Sequence, residues 1–285
     1  MNLNTIPDEV WSKLASYAIL AAGNRLDVNY SVGNYFYSQI YETWGKGKVD
    51  YKTNDDTIID AGWQEMVKEW TSIRDSGQFL CTELKDDSVG RAGLQVDQDG
   101  VRMARLWEVY NNGHGDRFQF VVEAGGGMVL FNRMRRACQT YIIERLSRDT
   151  GKSVVMGWKV FGEEGATGRS DSCVVYLACS WTDPRLAEVI NTYIWPNIKD
   201  LVDVNFTPLG FYPIDNKPLW AMPLPNEATE RAVLGVICQG SAGGLMANVF
   251  GKAFKQAAPT ATANVDTLVA TAKQKAEELV KALYP

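Results

Sequence analysis

Two short runs, Ser153-Val-Val-Met-Gly-Trp-Lys-Val-Phe-Gly162 and Ser172-Cys-Val-Val-Tyr-Leu-Ala178, decide the fold. Both are rich in β-branched and aromatic residues, and the glycine-rich stretch Gly162-Glu-Glu-Gly-Ala-Thr-Gly168 follows the first. That pattern predicts two strands paired as an antiparallel hairpin. Upstream, the spacing predicts a strand over 101–110, a strand over 117–123, a glycine turn at Gly125-Gly-Gly127 and a helix over 128–148. Downstream, a helix is expected over 183–202. Strand-helix-strand-strand-helix in this order reads as an α+β fold, an antiparallel sheet with packed helices.

Before this core the chain reads as helical. Val10, Trp11, Leu14, Tyr17, Ala18 and Ala21 recur at helical spacing after Pro7-Asp8-Glu9, which suits a first turn. An aromatic segment over 35–44 ends at Gly45-Lys-Gly47, and a third helical pattern runs over 57–72. After Gly77 the segments shorten, which makes this the candidate lobe border. The Pro- and aromatic-rich stretch 210–225 reads as an ordered surface loop, and a helix is expected from near Gly243. Beyond a hinge at Pro259-Thr-Ala-Thr-Ala263, Val265, Leu268, Val269, Ala272, Ala276, Leu279 and Leu283 mark an amphipathic final helix. The expected organisation is a mainly helical lobe over 1–76, an α+β domain over 77–258 and a C-terminal helix over 259–285.

Composition narrows the function. The 285 residues are 46% hydrophobic and 22% charged, enough to bury a sizeable core. A net charge of -5 and a pI near 5.1 argue against a general grip on nucleic acid, which calls for a basic face. The polar start Met1-Asn-Leu-Asn-Thr-Ile-Pro-Asp-Glu9 does not read as a secretory leader, and no apolar run reaches the roughly 18 residues of a membrane span. Five cysteines without a Cys-x-x-Cys pair suit reduced thiols, so a cytoplasmic location is expected.

Familiar chemistries fall away next. One histidine and scattered thiols do not make a metal site or a serine triad. Gly240-Ser-Ala-Gly-Gly244 lacks the Gly-Lys-Ser/Thr ending of a phosphate loop and reads as the turn that starts a helix. Lys159 is flanked by Val155, Met156, Trp158, Val160 and Phe161. Enclosed by such groups, its amine would lose hydration, fall in pKa and become available as a base; facing solvent, it would be an ordinary strand lysine. Arg169, after a flexible turn, could take a phosphate with its guanidinium fork, or pair with Asp171. His114, on the loop Asn111-Asn-Gly-His-Gly-Asp-Arg117, could donate a proton near neutral pH or have no task. Arg117 opens the next strand and offers a second anion contact.

The order Asp-Arg-Phe-Gln-Phe120, a helix, Lys159-Val-Phe-Gly, Gly168-Arg-Ser-Asp-Ser-Cys-Val-Val-Tyr176 and a closing Gly-Ser-Ala-Gly-Gly helix resembles the HopA-type family of type III effector domains. The resemblance spans about 77–257. Relatives in gene clusters for lanthipeptides and thioamitides look like phosphoserine/phosphothreonine lyases that follow a kinase. The resemblance implies elimination of phosphate from a phosphorylated precursor peptide to leave dehydroalanine or dehydrobutyrine, without metal or other cofactor. It assigns Lys159 as base, His114 as acid, Arg169 and Arg117 as phosphate ligands, and Asp171 as the group orienting Arg169. The implied partners are the phosphorylated peptide and a kinase, with no nucleic acid and no membrane. The alternatives are a noncatalytic protein-binding domain, to which Trp44, Trp63, Trp70, Trp195 and Trp220 would contribute, and a peptide-binding helper of a kinase.

Overall fold

The computed structural model describes residues 1–44, 91–95, 105–109, 117–120, 133–134, 136–138, 140–141, 155–161, 173–177, 179–238 and 241–285. In chain order the elements begin with α1 (Asp8–Gly23) and α2 (Val28–Tyr35), the latter continued by a π-helical turn, Phe36–Tyr41. Strands β1 (Arg91–Gln95), β2 (Arg105–Val109), β3 (Arg117–Phe120), β4 (Val155–Phe161) and β5 (Cys173–Leu177) follow. Helix α3 (Pro184–Val189) passes through a second π turn, Ile190–Ile194, into α4 (Trp195–Ile198). The chain closes with β6 (Tyr212–Ile214), β7 (Lys217–Met222), α5 (Glu227–Leu234), α6 (Ala242–Gln256) and α7 (Val265–Leu283). This is an α+β protein with N-terminal helices, as the sequence predicts.

Two compact units divide these elements. One comprises 1–44, 208–212 and 222–285, and the other 45–207 and 213–221. In the first, the amphipathic pattern of α1 buries Val10, Trp11, Leu14, Ala15, Ala18 and Ala21, and Asp8 and Glu9 sit where the helix dipole favours negative charge. Trp11 meets Phe250 of α6 edge-on at 5.1 Å between ring centroids, and Phe36 meets the same ring at 4.6 Å. Helices α2 and α6 cross very closely. A Cβ on Gly33 would come within 2.8 Å of the Ala247 carbonyl oxygen, so glycine is what permits the approach. The final helix buries Leu268, Ala272, Ala276, Leu279 and Leu283 as one stripe. It packs on α6 and α1, and its Tyr284 hydroxyl donates to the Pro223 carbonyl at 2.7 Å.

In the second unit the described strands join a sheet in the order β1-β2-β4-β5-β3-β7-β6. The predicted hairpin is its centre. Strands β4 and β5 pair antiparallel, with Lys159 opposite Val174 and Gly157 opposite Tyr176, and a bulge lies between Val155 and Gly157. Trp158, Cys173, Val174, Val175 and Leu177 are fully buried. Within the predicted helix 128–148, the described residues Met134, Ala137, Cys138 and Tyr141 are buried at i, i+3, i+4, i+7 spacing. Tyr141 stacks edge-on against Tyr193 at 5.4 Å. Asp183 caps α3, accepting a hydrogen bond from the Arg185 backbone N–H at 2.9 Å.

The stretch 210–225 is not a loop. It contains a hairpin of β6 and β7 turned by Asp215 and Asn216, whose φ values of 47° and 55° fit the paired left-handed residues of a type I′ turn. Pro213 and Pro218 conceal the strands, since proline is a strand breaker except toward an edge, and β6 is an edge of this sheet. Among the described residues no helix is long and apolar enough to cross a membrane.

Candidate functional site

Strand pairing positions two of the five candidate residues. Lys159 occupies the middle of β4, with Trp107 of β2 on one side and Val174 of β5 on the other. Arg117 opens β3 opposite Tyr176 of β5. Since Val174 also pairs with Gln119, the cross-strand rows run Trp107, Lys159, Val174, Gln119 and then Val109, Gly157, Tyr176, Arg117. The positions of Lys159 and Arg117 therefore have the same parity in the pleat. They lie two strands and two residues apart, roughly 12 Å on the backbone grid. His114, Arg169 and Asp171 lie outside the described residues.

Tyr176 is the residue between them, and sequence reading assigned it no role. It is half-buried on a strand whose other four residues are buried. Its hydroxyl is not among the buried polar atoms left without a partner in the described residues, so the tip of the side chain reaches solvent. On one side stands Gly157, beside the bulge. Bulges concentrate where a sheet re-aims a side chain, often next to active sites.

Two ion pairs among the described residues of this unit serve structure. The Arg133 guanidinium donates to both Asp200 carboxylate oxygens, at 2.6 and 2.8 Å, and to the Asn197 carbonyl at 3.2 Å. That hydrogen bonding holds the Asp200 carboxyl below its ordinary pKa. The side-chain and backbone hydrogen bonds from Arg185 lower Asp183 to about 2. The Arg133–Asp200 pair joins distant segments of the chain, whereas the Asp183–Arg185 pair is local to the start of α3.

In the helical unit, the described part of the glycine-rich run, Ser241-Ala-Gly-Gly244, is accounted for by capping and packing. Ser241 caps α6 by accepting from the Gly244 N–H at 3.1 Å, and a Cβ on Gly243 would collide with the Tyr37 and Tyr41 rings. Nearby, the buried Glu230 carboxylate accepts the Cys238 backbone N–H at 2.7 Å. Burial, reinforced by the Glu230 charge, pushes the Cys238 thiol up to about 12. Such a thiol is a poor nucleophile, so this cluster anchors the segment before α6.

The described sheet, with Lys159 and Arg117 at backbone positions of like parity, belongs to an α+β protein with N-terminal helices. Compared with solved structures, the chain is similar to the effector protein from Pseudomonas syringae pv. syringae strain 61, at 12% identity and a TM-score of 0.48, over 94% of this chain and 93% of the other. It is likewise similar to the effector protein from Pseudomonas syringae pv. tomato strain DC3000, at 14% identity and a TM-score of 0.49, over 96% and 94%. No protein-family model and no curated protein matches the chain.

Proposed function

We propose that this protein is a phosphoserine/phosphothreonine lyase acting on a phosphorylated precursor peptide in the cytoplasm. The observation that carries the reading is the placing of Lys159 and Arg117 in the central strands, at positions of like parity roughly 12 Å apart.

The elimination balances without a cofactor. Neutral Lys159 takes the α-proton, the new electron pair forms the Cα–Cβ double bond, and the Cβ–O bond breaks toward the phosphate. Arg117 and Arg169 stabilise charge gathering on the phosphate, Asp171 orients Arg169, and His114 returns a proton to the leaving oxygen. The products are a dehydroamino acid in the peptide and inorganic phosphate. A separate kinase supplies the substrate.

The test is incubation of the purified protein with phosphoserine and phosphothreonine peptides, scoring phosphate release and a dehydrated residue by mass spectrometry. Activity lost in Lys159→Met and present in wild type supports the reading, and full activity in the variant removes Lys159 as the base. A protein-binding role is the second reading. It is favoured by the exposure of Leu20, Leu26 and Tyr30 around the α1–α2 junction, and tight partner binding with no action on phosphopeptides would establish it.

A further inference from the structure

We infer that the turn joining α1 to α2 is a docking surface for a partner protein, and that it takes a short apolar segment carrying an aspartate or glutamate. The inference rests on the protein-binding reading and is independent of the lyase chemistry.

The turn departs twice from what its backbone favours. The Leu26 N–H donates to the Ala21 carbonyl at 2.9 Å and the Arg25 N–H to the Ala22 carbonyl at 3.1 Å, which closes α1 with a Schellman motif. The left-handed residue of that motif, at φ 59°, is Arg25. Glycine or asparagine is the ordinary choice there, and a long side chain in its place costs stability.

The second departure is Leu26. A Schellman motif commonly packs the residue at this position against one at that of Leu20 or Ala21. Leu26 also precedes Asp27, the N-cap of α2, where an apolar residue would staple onto position 31. Position 31 is a serine. Leu26 is left 53% exposed, Leu20 58% and Tyr30, in the first turn of α2, 73%. The other exposed large apolar residues among those described, Val204 and Val236, stand singly and call for no explanation. A cluster within one turn does.

Charge chooses the occupant. Arg25 is exposed, and its guanidinium makes no ion pair or hydrogen bond among the described residues. The neighbouring Asp27 is engaged, since it caps α2 through the Asn29 N–H at 2.9 Å and faces the Lys255 ammonium at 3.8 Å. One cation is therefore left unmatched beside the apolar side chains, and an acidic group on a partner complements it. A second copy of this chain does not, because a two-fold contact through the turn would bring two Arg25 side chains together. An anionic membrane does not either, because such surfaces are held by clusters of about 4–8 basic residues.

The probe is a displayed library of random dodecapeptides panned on the full chain. Enriched sequences should combine Leu, Ile, Phe or Trp with Asp or Glu, and the synthetic peptides should bind about tenfold more weakly, or worse, to Leu26→Ser and to Arg25→Glu. Replacing the acid of the peptide with lysine should restore binding to Arg25→Glu. Arg25→Gly should also bind weakly yet melt no lower than wild type, because glycine suits the left-handed position; a lower midpoint would make Arg25 a structural residue and overturn its role. Peptides that bind wild type and all three variants alike place the contact elsewhere, which overturns this surface and leaves the protein-binding reading standing. No enrichment overturns both. Dimers dispersed by Leu26→Ser, or binding to phosphatidylserine vesicles lost in that variant, assign the turn to a second copy or to a membrane and overturn the acidic partner.

Discussion

Gly251→Ala puts the packing of the helical unit to a quantitative test. In an ordinary helix interior this change stabilises by about 1 kcal/mol, because alanine has the better helix propensity. Here Gly251 faces α2 across its crossing with α6. An added Cβ would overlap the Asn29 carbonyl oxygen outright and reach 2.7 Å from Asn29 Oδ1 and 3.1 Å from its carbonyl carbon. The obstacle is backbone, which cannot rotate away as a side chain tip can. The helices must separate, and that loosens the contacts of Val32, Phe36 and Phe250, all fully buried. Overpacking of a tight core costs about 1–3 kcal/mol, sometimes more; an outright backbone overlap belongs at the upper end, about 2–3 kcal/mol, so after the gain of about 1 kcal/mol the net destabilisation is about 1–2 kcal/mol. Urea unfolding followed by tryptophan fluorescence measures it, with Gly23→Ala as control. There the new Cβ lies 3.4 Å from Ala261 Cβ, an ordinary contact, and the change should stay within about 0.5 kcal/mol. A Gly251→Ala protein as stable as wild type would refute the close-crossing argument.

Removing the buried carboxylate in Glu230→Ala orphans the Cys238 N–H and should cost about 1–3 kcal/mol in urea unfolding, while Glu230→Gln, which keeps an acceptor oxygen, should lose less. The Cys238 thiol, raised to about 12 from an ordinary value near ~8.5, should resist iodoacetamide in the native protein at pH 8 and react once unfolded; its preference for the protonated form favours the fold below the unfolded pKa and fades as pH climbs toward 12. Asp183, lowered to about 2, favours the fold above the unfolded carboxylate pKa of ~3.9, and that contribution disappears as pH falls through about 2. Asp183→Asn should flatten the stability profile across that window in pH-dependent unfolding.

Much of the architecture is legible because burial writes periodicity into a chain. The spacing of Val10, Trp11, Leu14 and Ala18 marks α1, that of Leu268, Ala272 and Ala276 marks α7, and the Val-rich run 172–178 marks β5. Helix α5 escaped notice although Asn226 caps it and Gly235 ends it with φ 81°. Its eight residues are too polar to show a clear stripe. The β6–β7 hairpin hid behind Pro213 and Pro218, and its turn is Asp-Asn rather than the stronger Asn-Gly signal. The site was less legible for a topological reason. Alternation places residues along one strand but does not say which strands become neighbours, and β3 pairs with β5 although β4 intervenes in the chain. Only that pairing puts Tyr176 between Arg117 and Lys159. Gly240–Gly244 shows the opposite case, a glycine run that resembles an anion loop but owes Gly243 to the Tyr37 and Tyr41 rings.

The most direct measurement follows the α-proton. A phosphoserine peptide deuterated at the α-carbon, incubated with the protein and analysed by mass spectrometry, reports whether the reaction removes it. The account predicts phosphate release with deuterium lost from the product, a dehydroalanine in its place and a slower rate than for the protiated peptide when proton removal limits turnover. Phosphate released with the label retained and a serine hydroxyl restored would mark hydrolysis rather than elimination, and would contradict the account.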